Sequence, residues 1–506
     1  MPGDVRGSQA GPPRLRTLVG QPATPTSGSP RRAALGWALA VAGVTFTIQA
    51  FISRYLFWDS YFGLVAGRYI AANGVPTTEA LTTAGKLQWI DQQWLSHWLF
   101  YAAWSIGGYS ATALLSAAAV TLAFALLAAL MVNHGVPGRR AFVWSLAALA
   151  VALGSTVVRA QSLILPLAVL LLWAILDDAR RPGFRVRFLF VLPLLAIWAN
   201  MHGSVLLGAG AVGAYSAVRA ASDAWRQDLR SAALHAATGA MALAALLATP
   251  YGLSVFDYYR SLLANTAVHG YILEWSAPMI GNPYSLAFFG MLAVTAVVVG
   301  YGFARRYRPP IVLVVAAAGL GLIALTGVRY AIWFGIAAAV LNAQILAGAR
   351  PAPPPFTAAF LRAGAAVLLA ASVVSAAVLI TTSGDEFERD LPRAAMAAVA
   401  DYTAAHPATL ILADELASAL LWRHPGLAGH VGFDTRLEQY PEDRLVAWFE
   451  YLNGVPPGWP SATDGYDVLL GSAVDQPELV ARLTALPGWS VLLAEPNGAA
   501  FVRGSP

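Results

Sequence analysis

Long apolar runs broken by short polar stretches fill the first three quarters of the chain, and the last quarter changes to short apolar segments between amphipathic ones. Eleven runs approach the ~20 residues with which an α-helix crosses hydrocarbon. They cover 33–54, 109–133, 141–158, 162–177, 188–201, 204–220, 232–249, 285–304, 310–328, 330–348 and 359–381. The fifth and sixth are short and meet at a polar break. Only helices or closed barrels satisfy the backbone in lipid, so this pattern predicts an α-helical multi-pass membrane protein of about eleven transmembrane helices.

Two long loops interrupt the spans, 55–108 and 250–284, and both are rich in aromatics and acids. Within the first, "SYFGLVAGRYIAA" places Phe62, Val65, Ala66 and Tyr69 on one helical side, and "WLSHWLFYAAW" (94–104) has a second apolar face. The Trp and Tyr content suits two helices lying along the membrane interface. Beyond residue 381 the period shortens. "TLILAD", "YDVLLG", "WSVLLAE" and "GAAFVR" read as strands, and 391–406 and 475–486 as amphipathic helices. Residues 382–506 are therefore expected to form a small α/β domain.

Charge orients the scheme. Residues 1–32 are rich in Pro, Gly and Ser, carry five Arg, and read as a disordered tail before a signal anchor. With that tail in the cytoplasm, cytoplasmic segments hold 19 Lys and Arg, counting Arg139–Arg140, Arg180–Arg187, Arg219–Arg230, Arg305–Arg308, Arg350 and Arg362. The loops and span ends of the other face, ahead of residue 382, hold 6, namely Arg54, Arg68, Lys86, Arg159, Arg260 and Arg329. This asymmetry predicts an inner (plasma) membrane protein with a cytoplasmic N-terminus and, after an odd number of spans, an extracytoplasmic C-terminal domain. The net charge of +5 follows the membrane and implies no nucleic-acid partner. Overall, 12% of residues are charged and 58% hydrophobic, half the charge of an average soluble domain. The absence of Cys excludes disulfides, thiol nucleophiles and Cys-based metal sites.

The candidate chemistry sits at the expected outer edge. Asp59 lies next to Trp58 at the end of the first span, where it either caps the following helix or, in an aromatic setting, has a raised pKa and acts as a base. Glu79 and Asp91 in the same loop are either solvated or available as base, metal ligand or hydroxyl contact. In "WANMHGS" (198–204), Asn200 and His202 fall between two apolar spans, a costly position unless they are paired or line a wet cavity. The 249–278 stretch supplies Arg260 and Glu274, and Arg329 stands alone at a span end. Arg260 and Arg329 either snorkel to headgroups or grip an anionic phosphate with their forked guanidinium groups. No Gly-rich nucleotide loop in a strand-to-helix setting, His-Glu-x-x-His helix or Gly-x-Ser-x-Gly elbow is present, the string "GAGAVG" (208–213) lying inside an apolar run.

These motifs together resemble a bacterial group of multi-pass proteins in the GT-C glycosyltransferase superfamily. The resemblance rests on Asp59, Gly67-Arg68-Tyr69-Ile70, Gly74-Val75-Pro76, Glu79, Thr83-Ala84-Gly85 and Trp89-Ile90…Trp94-Leu95-Ser96. It continues through "WANMHGSVLLG", "TPYG", "ILEWSAP" and "GFDTRLEQYP" (432–441). Where relatives have His-Glu before "W-L-S", this chain has Gln92-Gln93, with Asp91 just upstream. The resemblance implies inverting transfer of a sugar from a polyprenyl-phosphate donor to a glycan, lipid or protein acceptor outside the membrane. Asp59, with Glu79 second, would inherit the role of base or acceptor-binding acid. Metal use varies across that superfamily, and these acids suit a scheme with or without a divalent ion such as Mg²⁺. The alternative from another class is a non-catalytic lipid or glycan transporter, or an assembly partner in envelope synthesis.

Overall fold

A computed structural model describes residues 30–351 and 357–504. Residues 1–29, most of the expected tail, lie outside the described residues. Each of the eleven apolar runs carries a helix. In chain order the helices of this region are α1 Pro30–Ile52, α2 Trp58–Asn73, α3 Trp94–Asn133, α4 Gly138–Ala152 and α5 Ala160–Ala179. Next come α6 Val191–Ala199, α7 Val205–Trp225, α8 Leu229–Ala244, α9 Val255–Leu263 and α10 Thr266–Tyr271. The last four are α11 Pro283–Ala304, α12 Ile311–Ala324, α13 Ala331–Ala349 and α14 Ala358–Thr381. Among the described residues eight helices are long and apolar enough to cross a membrane. The third, fifth and ninth expected spans are shorter: α4 stops at Ala152, and the helices over Val186–Ala199 and Ile311–Ala324 fall below 18 residues. The chain is a multi-pass α-helical membrane protein.

Both helices expected at the interface form. α2 packs along the start of α3, and α3 breaks at Gly107–Gly108 before its membrane part. Gly108 has φ +62°, ψ −154°, a backbone shape that a side chain opposes, so a glycine there lets the chain turn into the bilayer. In the bundle, α1 runs against α3, α7 against α8, and α13 against α4 and α12. α13 is buried from Ala331 to Ile345. Its small residues permit this: a Cβ on Gly335 would stand 3.1 Å from Val151 Cβ, the close approach by which helices associate in lipid. α14 packs mainly on α1 and turns its Val and Leu side chains outward.

After α14 the chain builds a four-stranded sheet of order β1-β2-β4-β3, with β1 Ile411–Ala413, β2 Val468–Ser472, β3 Trp489–Glu495 and β4 Gly498–Arg503. β1 and β2 are parallel and the other pairs antiparallel. β2 is buried at every position, as its unbroken "VLLGS" requires for a strand covered on both faces. The helices Arg393–Ala405 and Pro477–Thr484 pack on the sheet.

The first long loop is bound to this α/β unit. Thr82 pairs with Val431, which also bridges Ile411 of β1, so residues 81–84 extend the sheet edge. Backbone bonds from Thr83 N to Val431 O (2.9 Å) and Gly429 N to Leu81 O (3.0 Å) complete the seam. Arg68 reinforces it by donating to Leu421 O and Trp422 O at 2.7 and 2.9 Å while lying over the Trp422 ring.

Candidate functional site

Where the loops, the ends of the spans and the α/β unit meet, they enclose a cavity of about 780 Å³. Its lower wall takes Asp59 and Phe62 from α2, Arg159 from the α4–α5 connection, His202 from the α6–α7 break, and Glu274 and Arg329 from later loops. Asp91, Gln92 and His97 form a side wall. The α/β unit supplies Asp414, Glu415, Asp434, Arg436 and Glu438 from above.

The lower wall centres on Arg159, whose side chain is only 9% exposed. Its Nη1 reaches both Glu274 oxygens at 2.8 and 2.9 Å and stands 3.8 Å from Asp59 Oδ2. Asp59 lies in the first turn of α2 but does not cap it. Ser60 Oγ accepts the Phe57 N–H at 3.2 Å and donates to Val158 O at 2.6 Å, leaving the Asp59 carboxylate to the cavity. Asp59 and Glu274 keep 43% and 44% of their side chains accessible, yet the surface they present opens into the cavity rather than to bulk water. Burial accordingly raises the Asp59 carboxyl above its ordinary value, against the pull of Arg159. Burial pushes Glu274 the same way, but Arg159 and Arg329 together outweigh it and hold that carboxyl low.

Arg329 differs from Arg159. Its backbone N–H donates to Glu274 O at 2.9 Å, and its guanidinium lies 3.9 Å from the Trp275 ring centre. Among the described residues it forms no ion pair within 4.0 Å. The cation is thus shaped by an aromatic face and left open to an anion. His202 faces the same space. Its Nδ1 accepts the Ser204 N–H at 3.0 Å, so the ring proton sits on Nε2 as a donor.

Asp91 is buried at the side wall. Oδ1 accepts the Gln93 N–H at 3.1 Å and Oδ2 the His97 Nδ1–H at 2.8 Å, while the Asp91 N–H donates to Tyr251 Oη. In the upper wall, Asp434 and Arg436 pair at 2.7 Å, and Tyr440 donates to Asp434 at 2.8 Å. Asp434, Arg436 and Tyr440 of the "GFDTRLEQYP" stretch therefore form one buried hydrogen-bonded cluster. Glu415 and Glu438 lie on the same wall, and burial pushes their carboxyls up to about 8 and about 7.

Four expected site residues lie elsewhere. Glu79 is not in the cavity wall: its Oε1 accepts the N–H groups of Ala80, Leu81 and Thr82, and both oxygens meet Arg436 at 2.7 and 3.0 Å. Oε1 is saturated by these donors and Oε2 is tied to Arg436 in a side chain only 6% exposed, so the carboxylate is out of a substrate's reach and acts as a staple between loop and α/β unit. Arg68 is held by the Trp422 helix, as above. Asn200 does not line the cavity; it accepts the Trp94 indole N–H at 2.8 Å and donates to Ala196 O and Ala248 O, tying three segments together. Arg260 is exposed on α9, away from the cavity.

The sequence reading missed Arg159, His97, Glu415, Glu438 and Arg436. Arg159 carried the same signal as Arg260 and Arg329, an isolated cation on the Arg-poor side. Only the tertiary arrangement separates the buried members from the exposed one. Glu415 and Glu438 have no local signature, because their burial depends on a domain folding over a distant loop.

Compared by sequence, the chain matches no family profile and no curated protein. Compared by structure, it is similar to ArnT from Cupriavidus metallidurans in the apo state, at TM-score 0.52 and 14% identity, covering 93% of this chain and 98% of that one. It is also similar to the archaeal oligosaccharyltransferase AglB from Archaeoglobus fulgidus, solved with an inhibitory peptide and a dolichol-phosphate. That match has TM-score 0.50 and 12% identity, and covers 86% of this chain and 69% of the other. The fold is GT-C-like: a membrane helix bundle with a small C-terminal α/β unit.

Proposed function

We propose that the chain is a membrane glycosyltransferase that moves a sugar, with inversion, from a polyprenyl-phosphate donor to an envelope glycan, lipid or protein acceptor. The reaction would take place on the extracytoplasmic face of the inner membrane. The observation that carries this reading is the shared cavity at the loop-bearing end of the bundle, where Arg159 and Arg329 stand beside Asp59 under a roof from the α/β unit. The likeness to an oligosaccharyltransferase holding a dolichol-phosphate supports the lipid-borne donor. The quoted motifs support placement in the bacterial GT-C group, and the Arg asymmetry supports the topology.

In this mechanism the sugar C1–O bond to phosphate breaks as a bond from an acceptor hydroxyl to C1 forms. Arg329, open to an anion, meets the departing phosphate, and Arg159 adds positive potential from its pair with Glu274. Fixed cations aimed at developing charge are the strongest aid a site offers to such a step. Asp59 accepts the hydrogen bond of the incoming hydroxyl, and the His202 Nε2–H is a donor for a sugar or phosphate oxygen. Among the described residues no three His, Asp or Glu side chains form a group that could hold a metal ion.

The test is transfer of radiolabelled sugar by membranes carrying the wild type or Asp59→Asn. Wild-type membranes are expected to label an acceptor, and Asp59→Asn to lower the rate at least tenfold. Equal labelling by both variants removes Asp59 from the reaction, and no labelling above protein-free membranes removes the glycosyltransferase reading.

A further inference from the structure

The site holds a second proton acceptor that the carboxylates obscure. His97 lies at the start of α3, its ring edge-on to Phe62 with centroids 5.3 Å apart, and only 6% of its side chain is exposed. A carboxylate only accepts hydrogen bonds, so the 2.8 Å contact with Asp91 Oδ2 puts the ring proton on Nδ1. Nε2 then carries the lone pair. No described residue bonds it, and it is not among the fully covered side-chain atoms that lack a partner. Because His97 lines the cavity, the small surface left to Nε2 is cavity surface.

Asp91 is placed to orient this ring and not to meet a substrate. Its side chain is 3% exposed, with the Gln93 N–H on one oxygen and the imidazole on the other. Among the described residues no Lys or Arg stands within 4.0 Å of it. A proton arriving on His97 therefore forms an ion pair with a buried acid that otherwise has no countercharge. A proton arriving on Asp59 gains no such ion pair: burial favours it there, and the Arg159 guanidinium 3.8 Å away opposes it.

We infer that His97 is the general base of the proposed transfer and that Asp91 is its positioning residue. This rests on the glycosyltransferase reading above. As the acceptor oxygen bonds to C1 and the phosphate leaves with the C1–O electron pair, the hydroxyl proton passes to His97 Nε2. Asp59 holds the hydroxyl, and Asp91 stabilises the imidazolium that forms. An aligned base of this kind accelerates such a step by roughly 10²–10⁴-fold.

The experiment measures radiolabelled transfer by membranes carrying wild type, His97→Ala, His97→Gln and Asp91→Asn, with and without added imidazole. His97→Ala is expected to lose about 10²-fold or more in kcat at unchanged KM, and to recover part of it when imidazole enters the vacated space. His97→Gln can still donate to Asp91 and so keeps the wall intact; it is expected to be equally slow and deaf to imidazole. Asp91→Asn should lower kcat without rescue. Wild-type turnover in His97→Gln, or a correctly folded His97→Ala that imidazole does not revive, overturns the inference while leaving the transfer reading standing. A wild type that transfers nothing overturns both.

Discussion

Replacing Arg159 by Met separates what its ion pair contributes to stability from what its charge does in the cavity. The guanidinium sits 2.8 and 2.9 Å from the two oxygens of Glu274. Unit charges ~4 Å apart attract by roughly 4 kcal/mol at an effective dielectric of 20. Removing one member of a buried pair typically costs about 3–5 kcal/mol, because the other charge is left without compensation. Glu274, however, presents 44% of its side chain to the cavity. Water there screens the orphan and lowers the expected loss to about 2–3 kcal/mol. Without Arg159 the Glu274 carboxyl, now held low against burial, moves up. Removing the second charge in Arg159→Met/Glu274→Gln should restore at least half of the stability, since neutralised pairs are often no worse than the pair itself. Transfer should stay depressed in both variants, because the cation is missing from each. Thermal melts in detergent and radiolabelled transfer read the two effects separately. A single variant that melts like the wild type, or a double variant that melts below the single, would refute the electrostatic reasoning.

Two further outcomes follow from the α/β unit. Glu79→Gln should cost roughly 1.5–3 kcal/mol, the worth of a hydrogen bond to a charged group, because Arg436 loses the carboxylate that staples the loop but keeps its pair with Asp434 at 2.7 Å; limited proteolysis should then cut within 78–88, and unchanged resistance contradicts the staple. Glu415 has a carboxyl raised from 4.5 to about 8, so the folded unit binds a proton that the unfolded chain has lost; its contribution is intact below pH 4.5, declines as pH rises, and is gone above about 8. Melting should accordingly fall across that window and flatten in Glu415→Gln; an equally steep decline in both assigns the slope to other groups.

The sequence disclosed the elements far better than their meeting points. Hydrophobic period alone located the eight helices long enough to cross a membrane, both helices of the first long loop and all four strands, because each is decided by neighbours within one or two turns. It overestimated the lengths of α4 and α12, where chain beyond the helix end is just as apolar: Leu153–Ser155 forms a single 3₁₀ turn, and residues 325–327 precede another. The "WANMHGS" stretch was legible as a break but not as a division of labour. Asn200 and His202 are two residues apart and equally polar, yet one ties backbone segments together and the other faces the cavity. That difference is set by Trp94, Ala196 and Ala248, which a local reading does not bring near.

The acids of the first long loop show why counting carboxylates in one segment misleads. Asp59, Glu79 and Asp91 look equivalent in sequence, and the fold gives each a different task. Glu79 meets three backbone N–H groups and a guanidinium from the α/β unit and is closed off from the cavity. Asp91 meets a histidine six residues on, across the first turn of α3, and turns that ring outward. Only Asp59 faces the cavity without an intervening group, and it does so because Ser60, not Asp59, serves the helix start. The reactive character of each acid is thus fixed by which hydrogen-bond donors the fold brings to it. Those donors come from residues 80–82, 93, 97 and 436, so the α/β unit helps decide the chemistry of the membrane-side loop as directly as the loop's own sequence does.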